Sequence, residues 1–370
     1  MVSCVSLKLN HKNIKWDGLS SSKVILLSKA DVESDINFLE YSLQKGYVGA
    51  DFIDAHIWKT FIEEIKSLTN QKFVDNVAFC KKIGELFLTL PDSHFDVWFP
   101  KHKCYGSQKI KANVGPNYLL NDENKVFKVK NFSKNNTKLL AFKSFPDRDS
   151  VKWRGFEEAV NNLKKSKNIV VDLRGNGGGD SSKGLFLARS LLNSSIKHNR
   201  RKIIRKNSPE AWVIFRNGIL RNKIWEEFQG RSVVYLNKHL NEIDLKIVEA
   251  VKNKEQFIVT TFPKLNTKEL KFKGNIYVLI DKGCGSSCEH TLEALKFHPN
   301  TKTVGQNTSD QIHFGQMGII RLPKSGIYIR LATQYFELFE EGNFEKKGYS
   351  PDIQVPVDHD ALNFLFKEIL

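Results

Sequence analysis

No run of about 18 apolar residues occurs anywhere in this chain, so the sequence offers no transmembrane helix. The N-terminal stretch MVSCVSLK carries too little apolar length for a secretory leader, so export is expected only if a leader has been removed. Cysteine is scarce: Cys4, Cys80, Cys104, Cys284 and Cys288 are odd in number and widely spread, which does not read as a disulfide framework. Cys284 and Cys288 have no second pair to complete a metal site, so neither zinc nor any other metal is expected; they read as small packing residues at a tight turn, with a disulfide or a redox-modified thiol as the open alternative. Acidic residues are in deficit, 41 against 57 Lys and Arg, for a net charge of +16. Its densest cluster, KHNRRKIIRK at 197–206, has no interleaved aromatics and no nucleic-acid-binding motif around it. Nucleic acid is therefore not an expected partner, and the surplus reads as a solubility bias.

What is present in quantity is core material. Hydrophobic residues make up 41% of the 370 and Phe alone contributes 26, enough for one large domain or two ordinary ones. After an irregular first 30 residues, apolar residues recur at helical spacing over 31–44, 55–68 and 72–90, which predicts an N-terminal helical domain over 1–96. A polar knot, Asp92-Ser93-His94, leads from the last helix into an alternating strand ending near 99. Residues 97–137 read as a β-rich connector, too short for a full peptide-binding domain of the PDZ kind. Over 138–370 strands are expected at 139–145, 169–172, 233–236, 257–261, 275–281 and 303–304. They alternate with helices at 153–164, 184–192, 242–252 and 286–297, and two hairpin strands follow at 318–322 and 326–334. The alternation says α/β. Residues 195–230, charged and carrying Trp212, Phe215, Trp225 and Phe228, read as an irregular insertion or lid.

Two turns carry candidate chemistry. The first is IVVDLRGNGGG at 169–179, a buried strand, a glycine turn and then a helix start. Adjacent glycines let the backbone approach a ligand and aim N–H groups at it. The lysine of a phosphate-binding loop is missing, and an oxyanion hole is the other chemistry such a turn serves. Asp172 and Arg174 read as a structural ion pair. The second turn follows the strand at 275–281: Gly283 and Gly285 bend the chain, and Ser286 or Ser287 opens a helix. A serine there is either a plain N-cap or a nucleophile beside the positive end of the helix.

These blocks resemble the tricorn and tail-specific (C-terminal processing) family of serine peptidases. VDLRGNGGG at 171–179 is similar to its glycine block, GSSCE at 285–289 to its nucleophile block with Cys288 for the second serine, and GYSPDI at 348–353 to its C-terminal Pro-Asp block. The resemblance spans roughly 31–358. It implies a crotonase/ClpP-like α/β core of β-β-α units behind the helical bundle, and it places the catalytic serine on Ser286, with Ser287 as fallback. The general-base lysine of the tail-specific branch falls on Gln311, which cannot take a proton. The tricorn branch implies instead a Ser-His element, matched by Ser93-His94, and a late glutamate, matched by Glu345. The implied roles are Ser286 as nucleophile and His94 as base, with Ser93 or Glu345 orienting it. Gly177 or Gly178, together with Ser287, would supply the oxyanion N–H groups. His290 and His313 remain rival bases. No cofactor is implied. The implied partner is a peptide or unfolded protein, and the alternative is a degenerate relative that binds a hydrophobic ligand or peptide. The family is largely exported, which leaves the compartment open between an exported and a cytoplasmic one, and no oligomeric state follows.

Overall fold

The computed structural model describes residues 10–15, 23–99, 102–106, 125–192, 200–253, 255–263, 270–340 and 342–370. In chain order the first elements are α1 (His11–Ile14), α2 (Lys29–Gly46), α3 (Gly49–Phe52), α4 (Ala55–Ser67), α5 (Asn76–Phe87), β1 (Asp96–Phe99) and β2 (His102–Gly106). Next come β3 (Phe127–Phe132), β4 (Thr137–Phe142), α6 (Phe156–Leu163), β5 (Asn168–Asp172), α7 (Ser182–Leu191), β6 (Arg200–Lys206), α8 (Pro209–Phe228) and α9 (Val234–Lys252). The chain ends with β7 (Phe257–Thr261), β8 (Asn275–Ile280), α10 (Ser287–Lys296), β9 (Thr301–Gly305), β10 (Phe314–Arg321), β11 (Tyr328–Leu338), β12 (Ile353–Gln354) and α11 (Ala361–Glu368). The fold is mixed α/β, as the alternation predicts.

Contacts group the chain into two units that interleave along it. One comprises Met1–Gln108, Ile203–Thr260 and Phe314–Phe336; the other comprises Lys109–Lys202, Thr261–His313 and Glu337–Leu370. The sequence reading drew its boundaries in chain order, near 96 and 137; the contacts draw theirs across that order.

In the first unit the three expected helices form with their caps. Ser28 and Asp31 exchange hydrogen bonds at the start of α2, while Asp54 and Asp75 accept the first N–H groups of α4 and α5. Their buried faces, Val32, Ile36, Leu39 and Leu43 on α2, Phe61 and Ile65 on α4, Phe79, Ile83 and Phe87 on α5, join one core. A sheet of order β2-β1-β11-β6-β7, with β10 paired to β11, belongs to this unit in its larger part.

The expected irregular insertion over 195–230 is corrected where it is described: β6 and the long α8 stand there. The start signal was in the sequence. Ser208 caps the Ala211 N–H, Pro209 takes the first turn, and Trp212, Val213, Ile214 and Phe215 are buried. Gly218 lets the helix reach the sheet, since a Cβ there would sit 2.7 Å from the Met317 carbonyl oxygen. The expected strand at 233–236 is likewise corrected. It forms the start of α9, where Leu240, Ile243 and Ala250 continue one buried face at helical spacing, and this packing overrides the β-propensity of a short apolar run.

The reading of the cysteines as no disulfide framework is also corrected, since Cys80 is bonded to Cys104, and the pairing left open for Cys284 and Cys288 is formed. Partners 24 residues apart are set by how α5 and β2 meet, which spacing alone does not reveal. The PDZ question falls largely on residues 107–124, outside the described residues, as does the first part of the 197–206 basic cluster.

The second unit is built on a sheet of order β12-β9-β8-β5-β4-β3, parallel throughout except for the β3/β4 hairpin. β5 is buried along its whole length, which is why Asn168–Asp172 reads as a continuous apolar run rather than an alternation. One face carries Ile169, Val171, Ile276, Val278 and the helices α6, α7 and α10; the other carries Val170, Tyr277, Leu279 and α11. β5 and β8 are neighbours, with Asp172 opposite Leu279, so the turns that leave their C-terminal ends emerge side by side. Ligands of open parallel sheets bind at such ends.

Candidate active site

The two turns singled out in the sequence are joined by hydrogen bonds. Asp281, just past β8, accepts the N–H of Gly175 and of Gly283 through one carboxylate oxygen, both at 2.9 Å. Burial pushes its carboxyl above the ordinary range, and these two N–H donors partly offset that. The Gly285 N–H donates to the Asn176 carbonyl at 3.1 Å, and the Ser287 hydroxyl donates to the Gly179 carbonyl at 2.5 Å.

The glycines earn their place here. Gly178 has φ +90°, and a Cβ on it would lie 2.6 Å from the Gly285 oxygen, 2.9 Å from the Ser287 nitrogen and 3.0 Å from Ser286 Cβ. Gly179, at φ +135°, has no room for a Cβ against the Phe145 carbonyl. The glycine block is thus bare because the turn carrying Ser286 packs directly on it. The Gly178 N–H donates to Asn176 Oδ1 at 2.9 Å, whereas Gly177 is exposed and has open space where a Cβ would point.

Ser286 and Ser287 differ sharply. Ser287 is buried at 4% exposure and its hydroxyl is committed to Gly179. Ser286 is half-buried and stands at φ +57°, ψ −118°, a region L residues rarely adopt. It sits between strand and helix, directly before α10, whose first N–H groups have no intrahelical acceptor.

The backbone of Ser286 is held by Glu289. This fully buried carboxylate accepts the N–H of Ser286, Asp310 and Gln311 at 2.9 Å each and the Thr308 hydroxyl at 2.6 Å. Burial raises its pKa, and the four donors pull the other way. Gln311 lies beside the turn, with Oε1 3.0 Å from where a Gly285 Cβ would stand. The Thr308 hydroxyl also accepts the Tyr349 N–H at 2.7 Å, and Asp352 accepts from Thr303, so the Pro-Asp block docks on the same loop.

Glu345 is buried and accepts the N–H of Ile312 at 3.0 Å and of His313 at 2.8 Å. His313 is buried as well, with Nε2 facing the Phe344 N–H at 3.2 Å. Asp172 and Arg174 form the expected ion pair, at 2.7 Å, and Arg174 also reaches Asp360 at 2.7 Å. Desolvation lowers the Arg174 pKa, the two carboxylates raise it, and the net shift is upward.

Ser93 and His94 belong to the other unit, just before β1. His94 is buried, its N–H donates to Asp92 Oδ1 at 2.8 Å, and its Nδ1 lies 3.5 Å from the same oxygen. Asp92 is itself held by the Tyr47 hydroxyl at 3.0 Å. Asp92 was visible in the sequence as part of the polar knot, but nothing in the spacing gave it the position beside the imidazole. In neither unit taken by itself do three His, Cys, Asp or Glu side chains converge at metal-ligand spacing among the described residues.

The profile of Peptidase family S41 matches residues 136–355. A search of curated proteins by sequence returns no match. Among solved structures, the chain is similar in fold to a candidate peptidase from Parabacteroides merdae ATCC 43184, with 13% identity, TM-score 0.57, and 89% of this chain and 90% of that chain covered. Mature CPAF is similar at 12% identity and TM-score 0.53, covering 89% and 93%. A lipoprotein from Streptococcus agalactiae covers 92% and 96% at 14% identity, with a TM-score of 0.48.

Proposed function

The chain belongs to peptidase family S41, a family of serine peptidases, and we propose that Ser286 is the nucleophile with which it cleaves peptide or unfolded-protein substrates. The observation that carries this reading is the backbone of Ser286: a half-exposed serine in a left-handed conformation on a strand-turn-helix, with Gly178 packed against it. Ser287 serves this reading through its backbone, its hydroxyl being committed elsewhere.

In this mechanism Ser286 Oγ attacks the scissile carbonyl while His94 Nε2 removes its proton. The oxyanion is held by the Ser287 N–H, at the positive end of α10, and by the Gly177 N–H. Gly178 is the weaker donor, since its N–H already has an acceptor in Asn176. His94 then protonates the leaving amine, and water repeats the sequence on the acyl-enzyme. Asp92 Oδ1 beside His94 Nδ1 supports an orienting role for Asp92, shared with Ser93, while Glu345 serves by fixing the loop at Ile312 and His313. Gln311 in the lysine position favours a histidine base over a lysine one.

The test is labelling by a fluorophosphonate probe. Wild type should label, Ser286→Ala should not, and Ser287→Ala should retain labelling. His94→Ala should label about 10²–10⁴-fold more slowly, the usual worth of a general base. Asp92→Asn should slow it more than Glu345→Gln. A folded wild type that never labels would sink the proposal in favour of a binding protein, and unimpaired labelling of His94→Ala would remove His94 from the mechanism.

A further inference from the structure

Ser286 is enclosed by a covalent ring. Cys284, between the turn glycines Gly283 and Gly285, is bonded to Cys288 in the first turn of α10, with their Cα atoms 5.4 Å apart. Both cysteines are fully buried in the apolar core beneath the turn, whereas Ser286 between them is half-exposed. The ends of the ring are anchored independently. The Cys284 N–H donates to the Asp281 carbonyl at 3.0 Å, its carbonyl accepts the Ser309 N–H at 2.8 Å, and the Cys288 N–H donates to the Gly285 carbonyl at 3.1 Å.

A left-handed serine persists only where its surroundings over-determine it. Without a constraint, the same residues have an easy alternative: Ser286 relaxes to the extended backbone of an ordinary N-cap and α10 starts normally behind it. That relaxation would swing Ser286 Oγ and the Ser287 N–H together, because they flank one peptide unit. Glu289 holds the Ser286 N–H against it, but a hydrogen bond can be exchanged for another donor. The disulfide ties Cys284 and Cys288 covalently on either side of the serine and so restricts that rotation.

We propose that the Cys284–Cys288 disulfide is a positioning clamp that keeps the nucleophile turn in its reactive conformation, an inference that rests on Ser286 being the nucleophile. Its burial makes it a fixed part of the site: a thiol in solution has no route to either sulfur while the turn stays closed.

The test compares wild type with the double variant Cys284→Ala/Cys288→Ala, and with Cys80→Ala/Cys104→Ala as a control that removes the other disulfide. Each is checked for folding by circular dichroism and assayed well below its melting temperature. The clamp predicts that the Cys284/Cys288 variant loses roughly 10–100-fold in kcat and in fluorophosphonate labelling rate, as expected for a displacement approaching 1 Å, with KM changed far less. The control should be less heat-stable with kcat retained. If the double variant does not fold, the measurement uses wild type opened by a small dithiol under mild denaturation. The dithiol gives two electrons and two protons to the disulfide and itself becomes a disulfide, and free thiols at Cys284 and Cys288 are counted by mass spectrometry. Wild-type kcat in a chain lacking this bond overturns the clamp while leaving Ser286 as nucleophile. Failure of the folded, oxidised wild type to label overturns the peptidase reading beneath it.

Discussion

Gly178→Ala is the perturbation that separates a packed catalytic turn from an ordinary loop. At φ +90° an alanine carries the left-handed penalty of about 1–2 kcal/mol. Its methyl would also stand 2.6 Å from the Gly285 oxygen and 2.9 Å from the Ser287 nitrogen, both backbone atoms that cannot rotate away. Overpacking of that kind costs about 1–3 kcal/mol. The sum, roughly 2–5 kcal/mol, corresponds to about 4–20 °C in melting temperature at about 2–4 °C per kcal/mol for a domain of 150–250 residues. Pushing the Ser286–Ser287 peptide and the glycine block apart relieves the strain. A displacement of about 1 Å costs on the order of 10²-fold in rate. Differential scanning calorimetry and the pseudo-first-order rate of fluorophosphonate labelling read the two effects. Gly177→Ala is the stability control, since open space surrounds its Cβ position and its φ is not positive, so it should melt as wild type does. A Gly178→Ala protein that melts and labels like wild type would refute the packing argument.

Asp281→Asn tests the carboxylate that joins the two turns. Burial raises the Asp281 pKa above 3.8, so its favourable contribution is complete below 3.8 and is lost as pH rises through the raised value. Relative to wild type, Asp281→Asn should therefore gain stability as pH climbs from about 3.8 towards neutrality; a gap constant with pH in urea unfolding would count against the raised pKa. Removing the other disulfide with Cys80→Ala/Cys104→Ala should cost about 2–4 kcal/mol by the same measurement, because that bond closes the larger loop, and an unchanged midpoint would contradict it.

The sequence by itself determined the chemistry-bearing segments of this protein. A buried β-branched strand running into three glycines, a glycine-flanked serine at a helix start and a late Pro-Asp block were legible as local patterns, because strand burial, turn chemistry and capping are decided within a few residues. The N-terminal helices were legible for the same reason, their apolar faces repeating at the helical period. What only the tertiary structure decided was everything set by neighbours distant in the chain. The pairing of β5 with β8 brings the two turns together, and a contact of Gly178 with Ser286 has no signature in either segment alone. α8 and the first turns of α9 were misread because their charge and β-branched residues mask a helical face that becomes apolar only against its partners. Spacing alone leaves Ser286 and Ser287 as alternatives and the family resemblance favours Ser286; in the structure the Ser287 hydroxyl is spent on Gly179, while Ser286 stands in a left-handed conformation with its N–H held by a buried glutamate. Asp92 acquired its place beside His94 from the turn that precedes β1, and the cysteine pairs from how their elements meet, since hydrogen bonds and disulfides require angstrom-scale geometry that spacing along a chain does not encode.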